Sequence, residues 1–324
     1  MSKLVVVTGA FGQVGRRAIE HLLAAGHRVI AVDLKTAKSA SVAATFDSRV
    51  EILWSDICDP GVWLGTLEHA DAVLHIAAII PPSVDRNPAR AIAVNQKATA
   101  NLVRWMESSR SAKRLVFASS AGVAGNEQHR RTPPLTVDEA PCATDLYGLT
   151  KIEAERSVQA SALRWSILRL GVVVAGRSSF GDAANLDAMW NASAAGRVEV
   201  VHDDDAGLAF ARAVDCEAAV GKILYIGGGE SCRSFVQAFY DRFLGAVGLG
   251  PLNPRALRPG APYFYGDWLD TDESQRLLGY QRHSLDDILE SRARSFGVKR
   301  LLIKPLAPLI NTIIAKRSPH MASG

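Results

Sequence analysis

Hydrophobic and polar positions fall into regular blocks along the first half of this chain. Short apolar, β-branched runs recur: LVVVT at 4–8, RVIAVD at 28–33, VEILWSD at 50–56, AVLHIAA at 72–78, RLVFASS at 114–120 and WSILRLGVVV at 165–174. Between them lie stretches with apolar residues at helical spacing. Val14, Ala18, Leu22 and Ala25 make one such face, closed by Gly26, and 88–109 and 145–162 make two more. Continuous apolar strands separated by helices predict a parallel sheet with helices on both faces. Right-handed crossovers then make it doubly wound.

After about Val174 the alternation ends. Helical patterns follow at 182–197, 235–247, 271–278 and 284–296, with one further strand, KILYIGG, at 222–228. Pro- and Gly-rich connections such as GLGPLNPRALRPGAP (248–262) separate some of them. The reading is α/β, with a nucleotide-binding domain at 1–175 and a smaller C-terminal substrate lobe at 176–297, their boundary interleaved. A basic apolar tail runs from 298 to 324.

Composition narrows the class. The 324 residues are 48% hydrophobic and 22% charged, with mean hydropathy +0.06. That excludes disordered and collagen-like chains. No run of 18 apolar residues predicts a transmembrane helix. The N-terminus runs straight into a strand, so a cytoplasmic protein is expected. Four cysteines without a CxxC pair predict reduced thiols and no metal framework. The net charge of +4 is unevenly placed. Seven basic residues and no acid lie from Arg292 onward, so +4 less seven leaves the rest at −3. A mildly acidic body argues against nucleic-acid binding.

The first strand ends in Thr8-Gly9-Ala10-Phe11-Gly12-Gln13-Val14-Gly15 and opens directly into a helix. Glycines at this spacing permit a tight turn, close backbone approach to a pyrophosphate and close helix–strand packing. The helix N-terminus offers free N–H groups to the phosphates. Asp33 ends the second strand, 18 residues after Gly15. A carboxylate there accepts both ribose hydroxyls and repels a 2′-phosphate, and Leu34 beside it supplies no cation. NAD is therefore expected over NADP. Asp56, at the end of the third strand, reads equally as a partner of the adenine amino group or as a strand-end cap.

Tyr147 and Lys151 stand four apart in YGLTK, on one face of a helix starting near Asp145. Ser120 ends the fifth strand, whose carboxyl edge lies beside the expected cofactor. A tyrosine titrates near ~10, too high for a base at neutral pH, and a neighbouring ammonium lowers that value. Tyr147 is then able to exchange a proton with a substrate hydroxyl while Ser120 holds the same oxygen.

Taken in order, TGAFGQVG, Asp33, Asp56-Ile57, HIAA (75–78), ASSAGVAG (118–125) and YGLTK (147–151) resemble an extended short-chain dehydrogenase/reductase of the NAD-dependent epimerase/dehydratase group. The resemblance covers residues 3 to about 176, with weaker echoes to 289. It implies a Rossmann-like sheet and a Ser120, Tyr147 and Lys151 site. It also implies cofactor contacts at Gly9, Gly12, Gln13, Val14, Asp33, Leu34, Asp56, Ile57, Ala77, Ala78 and Asn95, besides Tyr147 and Lys151. A homodimer is expected through helices 88–109 and 145–162, with Ala89, Ile92, Ala93, Gln96, Ala100 and Val103 on the shared face.

Two departures bear on the substrate. Nucleotide-sugar members carry an asparagine shortly after the arginine matching Arg169, where this chain reads Leu170-Gly171-Val172-Val173. They place an arginine where Val198 stands, leaving Arg177, Arg197 and Arg212 in the lobe. The reading is therefore an NAD-dependent oxidoreductase of a small or apolar hydroxy/keto compound. The alternatives are a nucleotide-sugar epimerase/dehydratase and a non-catalytic NAD-binding protein. His75 reads as structural, Asp203, Asp204 and Asp205 after His202 as a solvated acidic turn, and Pro81-Pro82 as a stiffened loop. Trp190, Phe264, Tyr265 and Trp268 read as core. The tail, 298–320, with its apolar residues between cations, fits peripheral contact with a membrane surface, the body or a second subunit.

Overall fold

The computed structural model describes residues 2–109, 111, 113–175, 189–264 and 266–321. The β-branched runs form strands β1 (Leu4–Thr8), β2 (Arg28–Asp33), β3 (Val50–Trp54), β4 (Ala72–His75), β5 (Arg114–Ser120) and β6 (Arg164–Leu170). With Lys222–Ile226 they build one parallel seven-stranded sheet in the order β3-β2-β1-β4-β5-β6 and then the 222–226 strand. Successive side chains leave opposite faces. Val5, Val7, Ala31, Leu74, Val116 and Leu168 enter one core, and Val6, Ile30, Val32, Val73, Leu115 and Ile167 the other. Helix α1 (Gln13–Ala24) buries Ala18, Ile19 and Leu22 in the first core. Strand order reverses between β1 and β4, which opens a crevice at their carboxyl ends.

The run at 165–174 is two strands. Gly171 lies between β6 and β7 (Val172–Val174), and β7 joins a different sheet. That sheet has the order β10-β8-β7, with β8 at Arg197–His202 and β10 at Arg233–Phe235. It pairs β7 with β8 parallel and β8 with β10 antiparallel. The strand in KILYIGG, β9 (Lys222–Ile226), lies beside β6 in the main sheet, so the chain returns to the first domain after starting the lobe.

Asp203, Asp204 and Asp205 do not form a solvated turn. They open helix α5 (Asp203–Ala213), counted after α2 (Ala37–Ala43), α3 (Thr99–Ser108) and α4 (Leu146–Gln159). Asp203 is fully buried and accepts from Arg16 Nη2 at 3.0 Å and Arg17 Nε at 3.4 Å. Asp205, also fully buried, accepts from the Arg282 and His283 amides, both at 3.0 Å. The acids suit a helix N-terminus, where the dipole favours negative charge. Their contiguity in sequence hid the fact that cations from α1 and Arg282 close over them.

The helix expected over 182–197 is only partly visible. Residues 182–188, like Arg177 and Tyr265, lie outside the described residues; 191–196 are turn, and Arg197 begins β8. The pattern at 88–109 contains a π-turn, Ile92–Ala98, between Pro88–Ala91 and α3. Val103 is buried in the core of this single chain, so it is not available to a dimer face. Trp190 and Phe264 are buried in the lobe's core, together with Phe239 of helix α6 (Val236–Gly245) and Ile288 of helix α8 (Leu285–Phe296), which follows α7 (Asp272–Leu278). The C-terminal segment also joins this core. Ala307, Ile314 and Ala315 are buried in it, and Ser318 Oγ donates to Ala256 O at 2.6 Å.

Candidate active site

The crevice at the strand reversal is a cleft of about 570 Å³, within the range of small-molecule sites. Gly9, Gly12, Gln13, Val14, Asp33, Leu34, Asp56, Ile57, Ala77, Ala78, Ser120, Tyr147 and Lys151 all line it. The structure thus brings together every sequence-predicted site residue except Asn95.

The glycine turn has the geometry its sequence implies. Gly9 has φ +65°, and a Cβ there would lie 2.7 Å from the Ala77 backbone. A Cβ on Gly15 would lie 2.2 Å from Gly9 O. No side chain caps α1, whose first turn carries no acid, so its N–H groups remain for an anion. At the far end, Asp33 Oδ2 accepts from Phe11 N at 2.8 Å and Oδ1 from Leu34 N at 2.7 Å. Burial pushes the Asp33 carboxyl up, with the two amides pulling the other way. An uncapped helix end, a turn without Cβ atoms and a carboxylate at the end of β2 fit a dinucleotide.

Asp56 is a strand-end cap that also lines the cleft. Its Oδ1 accepts from Cys58 N at 2.9 Å as a strand-end cap, while its Oδ2 faces Arg90 Nη2 at 2.6 Å on the cleft wall. Burial works to raise the Asp56 carboxyl. The Cys58 amide and the Arg90 guanidinium outweigh it and hold the group below its ordinary value. Arg90 was not legible in the sequence, because its partner lies 34 residues away and no local pattern links them.

Asn95 lies behind the wall. Its Oδ1 accepts from Ile79 N at 2.8 Å, and its Nδ2 donates to Ile79 O at 2.9 Å and Thr150 Oγ1 at 3.2 Å. It belongs to the π-turn and ties the loop after β4 to helix α4. Asn95 itself does not line the cleft, but the Ile79 it holds does. His75 is structural as expected. It is buried between Thr8 Oγ1 at 2.7 Å and Thr99 Oγ1 at 2.9 Å, and burial followed by the Lys151 charge pulls its value down to about 3.

The two adjacent serines of β5 part company. Ser119 Oγ donates to Glu155 Oε1 at 2.5 Å, inside a buried network. There Arg169 Nε and Nη2 meet the Glu155 carboxylate at 2.9 and 2.8 Å. Ser120 Oγ accepts from Gly122 N at 3.1 Å and stands beside Tyr147. Helix α4 carries both remaining residues. Asp145 caps its N-terminus by accepting from Gly148 N at 2.9 Å, which fixes the first turn holding Tyr147.

The electrostatics differ from the sequence-based expectation. Burial pushes the Tyr147 hydroxyl up to about 12, with the Ser120 hydroxyl opposing and Asp145 adding to the rise. The Lys151 ammonium donates to Ala118 O at 2.8 Å, and burial pulls its value down to about 8, opposed by the Glu155 charge. In this state the lysine serves the backbone, and the tyrosine holds its proton throughout the neutral range.

Among the described residues, the cleft wall at the end of β6 and in β7 is apolar, formed by Leu170, Val172 and Val173. Val198 is fully buried in the lobe's core. Arg197 pairs with Asp267 at 2.6 Å, and Arg212 Nη1 donates to the Leu278 and Gly279 carbonyls. Neither arginine lines the cleft.

A model of the NAD dependent epimerase/dehydratase family matches residues 5–238. Over 202 residues the chain is 29% identical to a "3 beta-hydroxysteroid dehydrogenase/Delta 5-->4-isomerase" of Mycobacterium tuberculosis, covering 61% of this chain and 53% of that protein. It is 32% identical over 185 residues to "UDP-glucose 4-epimerase 4" of Oryza sativa subsp. japonica, covering 52% of this chain and 48% of that one. The chain spans about half the length of the curated relatives it matches. Among solved structures it resembles UDP-glucuronic acid 4-epimerase from Bacillus cereus in complex with UDP-glucuronic acid and NAD. The TM-score is 0.75 at 20% identity, over 92% of this chain and 99% of that one. At that identity the likeness is one of fold.

Proposed function

Because the chain belongs to the NAD-dependent epimerase/dehydratase family, we propose that it binds NAD in the cleft and oxidises a carbinol carbon of a small molecule, with the hydride returned in the same turnover, as in an epimerase. The observation that carries this reading is the convergence of Ser120, Tyr147 and Lys151 on one cleft with the glycine turn and Asp33. The epimerases among its relatives weigh toward a returned hydride rather than the net redox reaction expected from the sequence.

When bound, the nicotinamide supplies hydride exchange and a positive ring. The chain's own residues handle the proton. The Tyr147 hydroxyl, held to one face by the Asp145 cap, donates to or accepts from the substrate oxygen. Ser120 Oγ holds the same oxygen. Lys151, near 8, remains protonated at neutral pH, and its charge favours a phenolate beside it. The Asn95 bonds hold Ile79 against the cleft, and the apolar side chains of Leu170, Val172 and Val173 exclude water from the reacting face.

A second reading, net dehydrogenation of an apolar alcohol, is favoured by that same apolar wall and by the structural engagement of Arg197 and Arg212. A nucleotide diphosphate needs cations or amide donors for its phosphates. One experiment separates the two. The protein is incubated with NAD and UDP- or GDP-sugars, and in parallel with hydroxy acids, sterols and aromatic alcohols. A changed sugar configuration without accumulating NADH supports the first reading; NADH accumulating only with the second group replaces it. Tyr147→Phe lowers turnover by about 10²–10⁴ while NAD affinity, read by calorimetry, stays within about threefold. A variant with wild-type turnover refutes the assignment. Dimerisation through the half-buried residues Ile92, Ala93, Gln96 and Ala100 belongs to the same reading.

A further inference from the structure

The C-terminal segment has two apolar faces where a docked helix needs one. Helices α9 (Lys299–Ile303) and α10 (Ala307–Lys316) are joined by a 3₁₀ turn, Lys304–Leu306, so 299–316 is helical throughout. Ile303, Ala307, Ile310 and Ile314 pack into the lobe's core. Their spacing of 4, 3 and 4 marks one face. Leu302, Leu306, Leu309 and Ile313 repeat the spacing one residue earlier, and this second stripe is exposed. With Val298 and Leu301, these side chains are 48–76% exposed. The segment holds six of the eleven exposed large apolar side chains found among the described residues. Isolated surface leucines need no explanation, but a contiguous stripe of them marks an interaction surface.

Charge identifies what covers it. Lys299, Arg300, Lys304, Lys316 and Arg317 are all exposed, and none forms a salt bridge among the described residues. No acid follows Glu290. Against a second copy the stripe would bring these cations onto themselves, because a two-fold interface pairs a patch with its own image. A hollow of about 680 Å³ lies on another side of the same segment, lined by Gly248, Gly250, Arg300, Lys304, Pro308 and Asn311. Asn311 Oδ1 is buried there without a hydrogen-bond partner. Apolar side chains interleaved with unpaired cations match the boundary between acyl chains and anionic headgroups. No helix among the described residues is long and apolar enough to cross a membrane.

We propose that residues 298–317 bind peripherally to an anionic bilayer surface, with the stripe Leu302, Leu306, Leu309 and Ile313 among the acyl chains and with the long side chains of Arg300 and Lys304 reaching headgroup phosphates. The test is flotation of the full chain with phosphatidylcholine vesicles, with and without about one-third phosphatidylglycerol, at low and high salt. The expected result is binding to the anionic vesicles alone, weakened by salt. Leu302→Ser with Leu309→Ser abolishes binding, and Arg300→Gln and Lys304→Gln each weaken it about fivefold. Circular dichroism and light scattering on the same samples report fold and mass; both are expected unchanged, because all four side chains are exposed. A folded wild type that stays with the soluble fraction overturns the proposal. So does equal binding by the variants, or a dimer that Leu302→Ser with Leu309→Ser converts to monomer.

Discussion

Replacing Lys151 by methionine should stabilise the fold at neutral pH while removing activity. Lys151 is 2% exposed, and burial draws its value from 10.5 to about 8. At 1.36 kcal/mol per pH unit, holding the charged form inside costs about 3 kcal/mol. A group whose folded value is lowered in this way is a base that the unfolded chain protonates more readily. The cost is therefore fully present below about pH 8 and relieved as pH rises from there toward 10.5. Methionine has a similar stem and carries no charge, so it removes the cost. It also forfeits the bond from Lys151 Nζ to Ala118 O, worth about 1–2 kcal/mol net. The balance is a gain of about 1–2 kcal/mol at pH 7 that shrinks as pH rises above about 8. Urea unfolding of both proteins at pH 7, 8, 9 and 10 reads it, with activity measured alongside. A variant less stable than wild type by the same margin at every pH would show that the buried ammonium is not a stored cost.

Asp33→Asn keeps one of the two backbone acceptors and removes the charge. It should weaken NAD by about tenfold and reduce the NAD-over-NADP preference by at least as much, read by calorimetric titration with both cofactors; an unchanged ratio would place the discrimination elsewhere, at Lys35 or Arg90. Glu155→Gln leaves the Arg169 guanidinium, 2% exposed, without its carboxylate, and should cost about 3–5 kcal/mol in denaturant unfolding. A loss under about 1 kcal/mol would mean that the network relaxes or admits water.

Local signals made the first half of the chain legible. β1, β2 and β5 run as their apolar residues predict, because strands buried on both faces need continuous β-branched sequence. The failures lie where distant contacts decide. Asp203, Asp204 and Asp205 look like a surface turn until Arg16, Arg17 and Arg282 are brought over them by α1 and the segment after α7. Gly171 breaks one apolar run into two strands of different sheets, and a lone glycine in such a run does not say that the strand beyond it changes sheet. β9 falls inside the expected lobe yet completes the main sheet. Its position depends on β6 leaving an open edge, which is a property of the fold rather than of residues 222–228.

At the candidate site, sequence spacing identified the residues that backbone geometry places and misjudged those that side-chain pairing places. The glycine turn, Asp33, Tyr147 and Lys151 each sit at the end of a strand or on the first turns of a helix, so their cleft position follows from the elements themselves. Asn95 was assigned to the cofactor by resemblance, but its amide is consumed by Ile79 and Thr150, and its effect reaches the cleft through the loop it holds. The same holds for charge. YGLTK alone suggests a lysine that lowers the tyrosine, yet burial raises Tyr147 and lowers Lys151 at once. The pair therefore starts as a neutral phenol beside an ammonium held close to its own titration point. On the proposed function, a nicotinamide bound in the cleft would add its positive charge to that of Lys151 in favouring the Tyr147 phenolate. Tyr147 would then be a competent base only with the hydride acceptor bound, and proton transfer would be coupled to occupancy of the cleft.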